Sequence, residues 1–130
     1  IHLNDIQPAL KDTKFWKKGD LFLSLRNQSM IILYRPSTNK IIWYKQGPWT
    51  HQHDVDIISE SKISVFDNNI SIDFFNGGNN NYAVYDFETD KVTYPYSQSF
   101  AKYNISTKTG GLSDTINSNE IFFIVFFKFS

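Results

Sequence analysis

The sequence predicts an all-β chain, a piece of a β-propeller holding about two four-stranded antiparallel blades and the start of a third. Three observations predict it. Aromatic residues make up 17% of the 130 residues, and with many Ile, Val and Thr and few helix formers they favour extended backbone. Short apolar or alternating runs recur between turns rich in Asn, Ser, Asp and Gly, the pattern of strands joined by tight connections. Segments of sequence also return at a spacing of about 50 residues, in the range of four-stranded propeller blades. A β-sandwich shares the short strands but gives no reason for that spacing.

Taken in order, the opening stretch, residues 4–18, is the one place for a helical turn, and Pro8 interrupts it. Strands are then predicted at residues 20–25, 29–34, 40–44, 54–58, 62–66, 81–85, 91–94 and 120–127. The connectors carry turn chemistry: Pro36-Ser37-Thr38-Asn39, Ser59-Glu60-Ser61, Asn68-Asn69, Gly77-Gly78-Asn79 and Glu88-Thr89-Asp90. The last predicted strand runs into an apolar tail, 122–130, whose alternation is lost; exposed as an edge it would invite aggregation.

Two echoes carry the spacing, and a third, weaker one stands beside them. Leu33-Tyr34-Arg35-Pro36-Ser37-Thr38-Asn39-Lys40-Ile41 returns as Val84-Tyr85-Asp86-Phe87-Glu88-Thr89-Asp90-Lys91-Val92. His2-Leu3-Asn4-Asp5-Ile6 returns as His51-Gln52-His53-Asp54-Val55. A weaker echo links the segment from Asp56 to Ile63 with that from Asp114 to Ile121, and it sets Thr109-Gly110-Gly111-Leu112 where the second module has His51-Gln52-His53-Asp54. The expected modules are roughly residues 1–50, 51–100 and 101–130. A closed propeller needs four to eight blades, so the expectation is a part of a larger protein, with the remainder of the propeller as a partner.

Thirteen basic and thirteen acidic side chains give zero net charge, which argues against nucleic acid, since phosphate neutralisation needs a basic face. No apolar run approaches the ~20 residues of a membrane span. Cysteine is absent, so neither disulfides nor thiolate chemistry enter. The first residue is Ile, and the N-terminus says nothing of localisation.

All three histidines, His2, His51 and His53, fall at echoed positions, and equivalent positions of propeller blades converge on the axis. In an extended strand His51 and His53 project to one side and Asp54 to the other. Such a pair can share a proton, supply a nucleophile or bind a metal. A metal is not expected, because the nearest further ligands, Asp54 and Asp56, lie on the same strand. Arg26 stands where a strand runs into a polar turn, and its planar fork suits a sulfate or phosphate group. Gly77-Gly78 lacks the Lys and helix start of a phosphate loop, no Ser sits in a Gly-x-Ser-x-Gly elbow, and no carboxylate pair is visible. Three Asn-x-Ser sequons in so Asn- and Ser-rich a chain carry no weight.

An ordered series of short motifs spans residues 2 to 69: His2-Leu3-Asn4-Asp5, Ser24-Leu25-Arg26-Asn27-Gln28-Ser29, Asn39-Lys40-Ile41-Ile42-Trp43, Gln52-His53-Asp54 and Ser64-Val65-Phe66-Asp67-Asn68. This series resembles the arylsulfotransferase family of β-propeller enzymes. The resemblance implies transfer of a sulfuryl group from a phenolic sulfate ester to a phenol acceptor through a sulfohistidine, with no nucleotide donor and no cofactor. It implies His53 as nucleophile, Arg26 as sulfuryl clamp and His2 as oxyanion or leaving-group partner. Asn4, in the family's His-x-Asn element, and His51, paired with His2 only by the echo, are expected to bind substrate. It also implies an exported, periplasmic setting, which no residue here shows. Asn69 stands where the family prefers Gly, and Asn tolerates that left-handed turn. The other reading is a non-catalytic propeller or sandwich module that binds a protein or glycan through aromatic-rich turns such as Trp43, Tyr44 and Trp49.

Overall fold

A computed structural model describes residues 1–70, 78–117 and 119–125. Ser71, Gly77 and the tail residues 126–130, on which one sequon, one turn and the end of the last predicted strand depend, lie outside the described residues.

The chain is all-β. Strands β1 (Leu3–Pro8), β2 (Leu21–Leu25), β3 (Met30–Arg35) and β4 (Lys40–Gln46) form one antiparallel sheet in the order β1-β2-β3-β4. A second antiparallel sheet repeats that order with β5 (His53–Ile57), β6 (Lys62–Asp67), β7 (Asn81–Asp86) and β8 (Lys91–Thr93). A short helix, α1 (Ser97–Lys102), leads to a hairpin of β9 (Leu112–Asn117) and β10 (Glu120–Ile124). Consecutive up-and-down four-stranded sheets are compatible with a β-propeller fragment.

Three elements differ from the sequence expectation. The opening stretch begins as a strand, because Ile6 and Gln7 pair with Leu23 and Phe22. The helix α1 is only six residues long and is anchored by Phe100, its one buried residue. Strand β9 is polar and almost wholly exposed, so nothing in its own pattern marks it; its partner β10 and a strap from β5 hold it in place.

Echoed residues do the same local work in both sheets. Asn39 and Asp90 close their hairpins in the left-handed conformation, with φ of 52° and 53°, which Asn and Asp tolerate better than most residues. Each accepts a hydrogen bond from a tyrosine hydroxyl, Tyr34 to Asn39 and Tyr85 to Asp90, both at 2.7 Å.

The sheets pack face to face. Between the first two lies a core centred on Trp16, Phe22, Ile31, Leu33, Val65 and Tyr85. Trp43 stacks on Tyr85 at 5.1 Å between ring centres and touches Phe87 at 4.7 Å. Between the second sheet and the hairpin lies a smaller core of Phe66, Tyr82, Val84 and Phe100. Strand β6, covered on both sides, is therefore buried at five of its six residues and shows no alternation. Trp49 is 1% exposed. Thus two of the three aromatics proposed for partner capture, Trp43 and Trp49, are spent on the core, and only Tyr44 stands exposed.

Carboxylates strap the sheets edge to edge. Asp5 on β1 accepts the Val55 N–H of β5 at 2.7 Å, and Asp54 on β5 accepts the Ser113 N–H of β9. Asp56 lies beside these straps, next to a cavity of about 410 Å³ lined also by Asp54 and Asp114. Burial, then the charges of Asp54, Asp5 and Asp114, push Asp56 up to about 7. A raised carboxyl favours the folded state while both states are protonated, and that contribution is lost as pH climbs from the ordinary value of about 4 through 7. Asp56→Asn should therefore raise Tm progressively between pH 4 and 8, with little difference at the acidic end. Melting curves across that range check it; a gain in Tm independent of pH would refute the assignment.

Candidate functional site

His51 and His53 lie where the chain passes from the first sheet to the second, and the His2 carbonyl ties the chain start to the same junction. Gln52 makes this crossing rigid: it is fully buried, and its Nε2 donates to Ser24 Oγ (3.0 Å) and to the Met30 carbonyl (3.1 Å) in the first sheet. With Gln52 drawn inward, His51 and His53 flank it. The extended His51–His53 segment expected from sequence does not form. His51 takes a left-handed φ of 52° ahead of β5, Asp54 takes 58°, and the pairing of β5 with β6 slips between His53 and Asp56. The slip frees the Asp54 carboxylate to strap β9.

His53 sits half-buried at the start of β5. Its Nδ1 lies 2.6 Å from Asn68 Oδ1, just beyond β6, and its Nε2 accepts the Gly110 N–H at 3.3 Å. Burial holds the imidazole below its ordinary pKa, helped by the positive charges of Arg26 and His2, while the Asn68 contact works the other way. Neutral imidazole is the nucleophilic form, and the lowered pKa favours that form of His53.

Arg26 leaves β2 into a 3-10 turn, residues Arg26–Gln28. Its backbone N–H donates to the His2 carbonyl at 2.9 Å, tying the chain start to this turn. Its guanidinium donates to the Lys108 carbonyl through Nη2 (3.1 Å) and to Asn27 Oδ1 through Nη1 (3.2 Å). The segment between α1 and β9 thus meets both residues, accepting from Arg26 at Lys108 and donating to His53 from Gly110.

His51 is also held below its ordinary pKa, by burial and by the Arg26 charge. Its Nδ1 is buried without a hydrogen-bond partner, as is Asn4 Oδ1, whose amide Nδ2 donates to the Gln52 carbonyl at 2.8 Å. Buried polar atoms are ordinarily satisfied; these are two of eight buried side-chain atoms without a partner among the described residues. The structure therefore brings His51, His53, Arg26, His2 and Asn4 to one junction. Among the described residues, no group of three or more His, Cys, Asp or Glu side chains is placed to hold a metal.

Sequence reasoning missed Asn68 and Gly110 as neighbours of His53. The signal for Asn68 was present in Phe66-Asp67-Asn68. Phe66 fills the core, and Asp67 accepts the N–H groups of Thr50 (2.9 Å) and Asn69 (2.8 Å) while burial pushes its carboxyl up to about 6. Asn68 turns to His53.

Comparison with known proteins matches residues 1–126 to the arylsulfotransferase (ASST) family. No curated protein and no solved structure gives a match. The family match covers nearly the whole chain, and the chain belongs to the arylsulfotransferase family.

Proposed function

We propose that this chain carries the sulfuryl-transfer centre of a β-propeller arylsulfotransferase, moving a sulfuryl group from a phenolic sulfate ester to a phenol acceptor. The observation that carries this reading is the half-buried His53, its ring held between Asn68 and the Gly110 N–H, in a member of this family. His53 Nε2 attacks the sulfur of the donor; the N–S bond forms, and the S–O bond to the arene breaks. The phenolate leaves and takes a proton from the His2 imidazolium. In the second half, neutral His2 accepts the proton of the acceptor phenol, its oxygen attacks sulfur, and the electron pair of the N–S bond returns to His53. Atoms and protons balance over the cycle, and no cofactor enters.

Arg26 and the Gly110 N–H stabilise negative charge on the sulfuryl oxygens. The long Gly110 contact at Nε2 opens when sulfur takes its place, leaving that donor beside the transferred group. His51 and Asn4, at the same junction, bind the substrate. The exposed apolar residues Leu3, Ile6 and Ile41 on the first sheet and Ile116 and Phe122 on the hairpin give further blades a surface to pack on.

The test is turnover of an aryl sulfate with a phenol acceptor, combined with mass spectrometry of the acid-labile adduct after rapid quenching. Transfer with the sulfuryl group on the His53 peptide is expected. Hydrolysis or transfer without a histidine adduct would overturn the mechanism, and no turnover of any aryl sulfate would overturn the function.

A further inference from the structure

The two contacts of the His53 ring assign its proton. An asparagine amide can present either its oxygen or its nitrogen to a neighbour, and its other bonds decide which. Asn68 Nδ2 faces the carbonyls of Thr107 (3.1 Å) and Gly110 (2.9 Å). Carbonyls only accept, so the NH2 group must point at them, and the amide oxygen must point at His53. An oxygen cannot donate, so His53 Nδ1 carries the hydrogen. The Gly110 N–H requires the same tautomer from the other side of the ring, since it can donate only to an Nε2 lone pair.

Asn68 is itself clamped. It is 2% exposed, and Asn80, fully buried, donates to the Asn68 carbonyl (2.9 Å) and the Thr107 carbonyl (3.0 Å). Asn80 Oδ1 accepts both the Thr107 N–H (2.8 Å) and its hydroxyl (3.0 Å). Every bond in this cluster has one permissible direction, which leaves Asn68 no alternative orientation.

We propose that Asn68 is a positioning residue, locked by Asn80 and Thr107, that holds His53 as the Nδ1–H tautomer and so keeps the proton off Nε2, whose lone pair attacks once the long Gly110 contact opens. The consequence for catalysis rests on the sulfuryl-transfer reading; the tautomer does not. During attack no proton leaves the ring: the N–S bond forms at Nε2, the ring gains positive charge, and the Nδ1–H bond to Asn68 becomes charge-assisted and stronger. When the acceptor attacks, the N–S electron pair returns to Nε2. A neutral amide at this place orients the ring without the pull of a carboxylate, which would favour imidazolium and protonate the nucleophile.

The experiment is nitrogen-15 NMR of the full chain labelled at histidine, with the His53 signals assigned by their loss in His53→Gln. Wild-type His53 should show a protonated Nδ1 and an unprotonated Nε2 in its neutral form; the opposite tautomer would overturn the proposal. Asn68→Asp keeps the accepting oxygen, so it should keep the tautomer, raise the His53 titration midpoint by about one unit or more, and move the acid limb of the rate profile with it. An unmoved midpoint would overturn the proposal. Asn68→Ala, where it folds, should give mixed tautomers and about 100-fold slower transfer, and an unchanged tautomer would again overturn it. If the tautomer behaves as stated and no sulfuryl transfer is found, the functional reading fails and the positioning role stands. Transfer from an Nε2–H wild type would separate them in the opposite sense.

Discussion

His53→Ala should reduce sulfuryl transfer by about 10⁴-fold or more, the scale of losing a nucleophile whose neighbours act only through it. Arg26, the Gly110 N–H and Asn68 all bear on this ring, so none of them has another group to assist once it is gone. The variant should fold. The half-buried ring can be replaced by methyl and water, at the cost of one partner each for Asn68 and Gly110. Steady-state turnover, with Tm measured alongside, checks it, and His51→Ala is the comparison. His51 is expected to lose binding rather than chemistry, with KM rising more than kcat falls. In the wild type, the acid limb of the rate profile should lie below pH 6.5, because burial and the Arg26 charge lower the pKa of His53. A folded His53→Ala protein retaining a tenth of wild-type turnover would remove His53 from the nucleophile role.

Much of the fold was legible because strands such as β3 bury every second residue and end in turns with left-handed Ser, Asn or Asp. What escaped depends on partners distant in sequence. The stretch from Asn4 reads as a place for a helical turn because Asn4, Asp5 and Gln7 leave no strand alternation, yet β2 supplies the pairing and the Val55 N–H takes up the Asp5 carboxylate. Leu112–Asn117 has almost no buried side chains of its own; β10 and the Asp54 strap make it a strand.

The site divides in the same way. His53 and Arg26 were legible as residue types placed at a strand start and a strand end. The conformation of the His51–His53 segment was not, because it follows from Gln52 inserting into the first sheet, a contact 22 to 28 residues away in sequence. Nor could sequence alone show that Gly110, which the weak echo aligns with Gln52, would lie against the ring of His53, 57 residues earlier. The residue types are local in the sequence, and their orientation is set across the junction.

Gly111→Ala should be among the most damaging single substitutions in the protein. Gly111 is buried with φ of 134°, and a Cβ there would run into the side of the Phe66 ring. That ring is fully buried and packs against Phe100 at 6.2 Å, so it has no space to retreat. Two costs combine: about 1–3 kcal/mol for a backbone conformation that L residues avoid, and about 1–3 kcal/mol for overpacking. Together they reach a large share of the ~5–15 kcal/mol that holds a domain folded. Gly19→Ala separates the two costs, since Gly19 has φ of 91° and nothing within 4 Å of its missing Cβ; it should show only the backbone cost. Urea midpoints of the two variants check this, and adding Phe66→Leu should recover part of the loss in Gly111→Ala while lowering the stability of the wild-type background. Equal losses at Gly19 and Gly111 would show that Phe66 yields and that backbone strain alone sets the cost. The larger loss at Gly111 would carry a second effect, because its neighbour Gly110 donates to His53 and accepts from Asn68. Displacing that peptide should slow transfer even at temperatures where the variant remains folded.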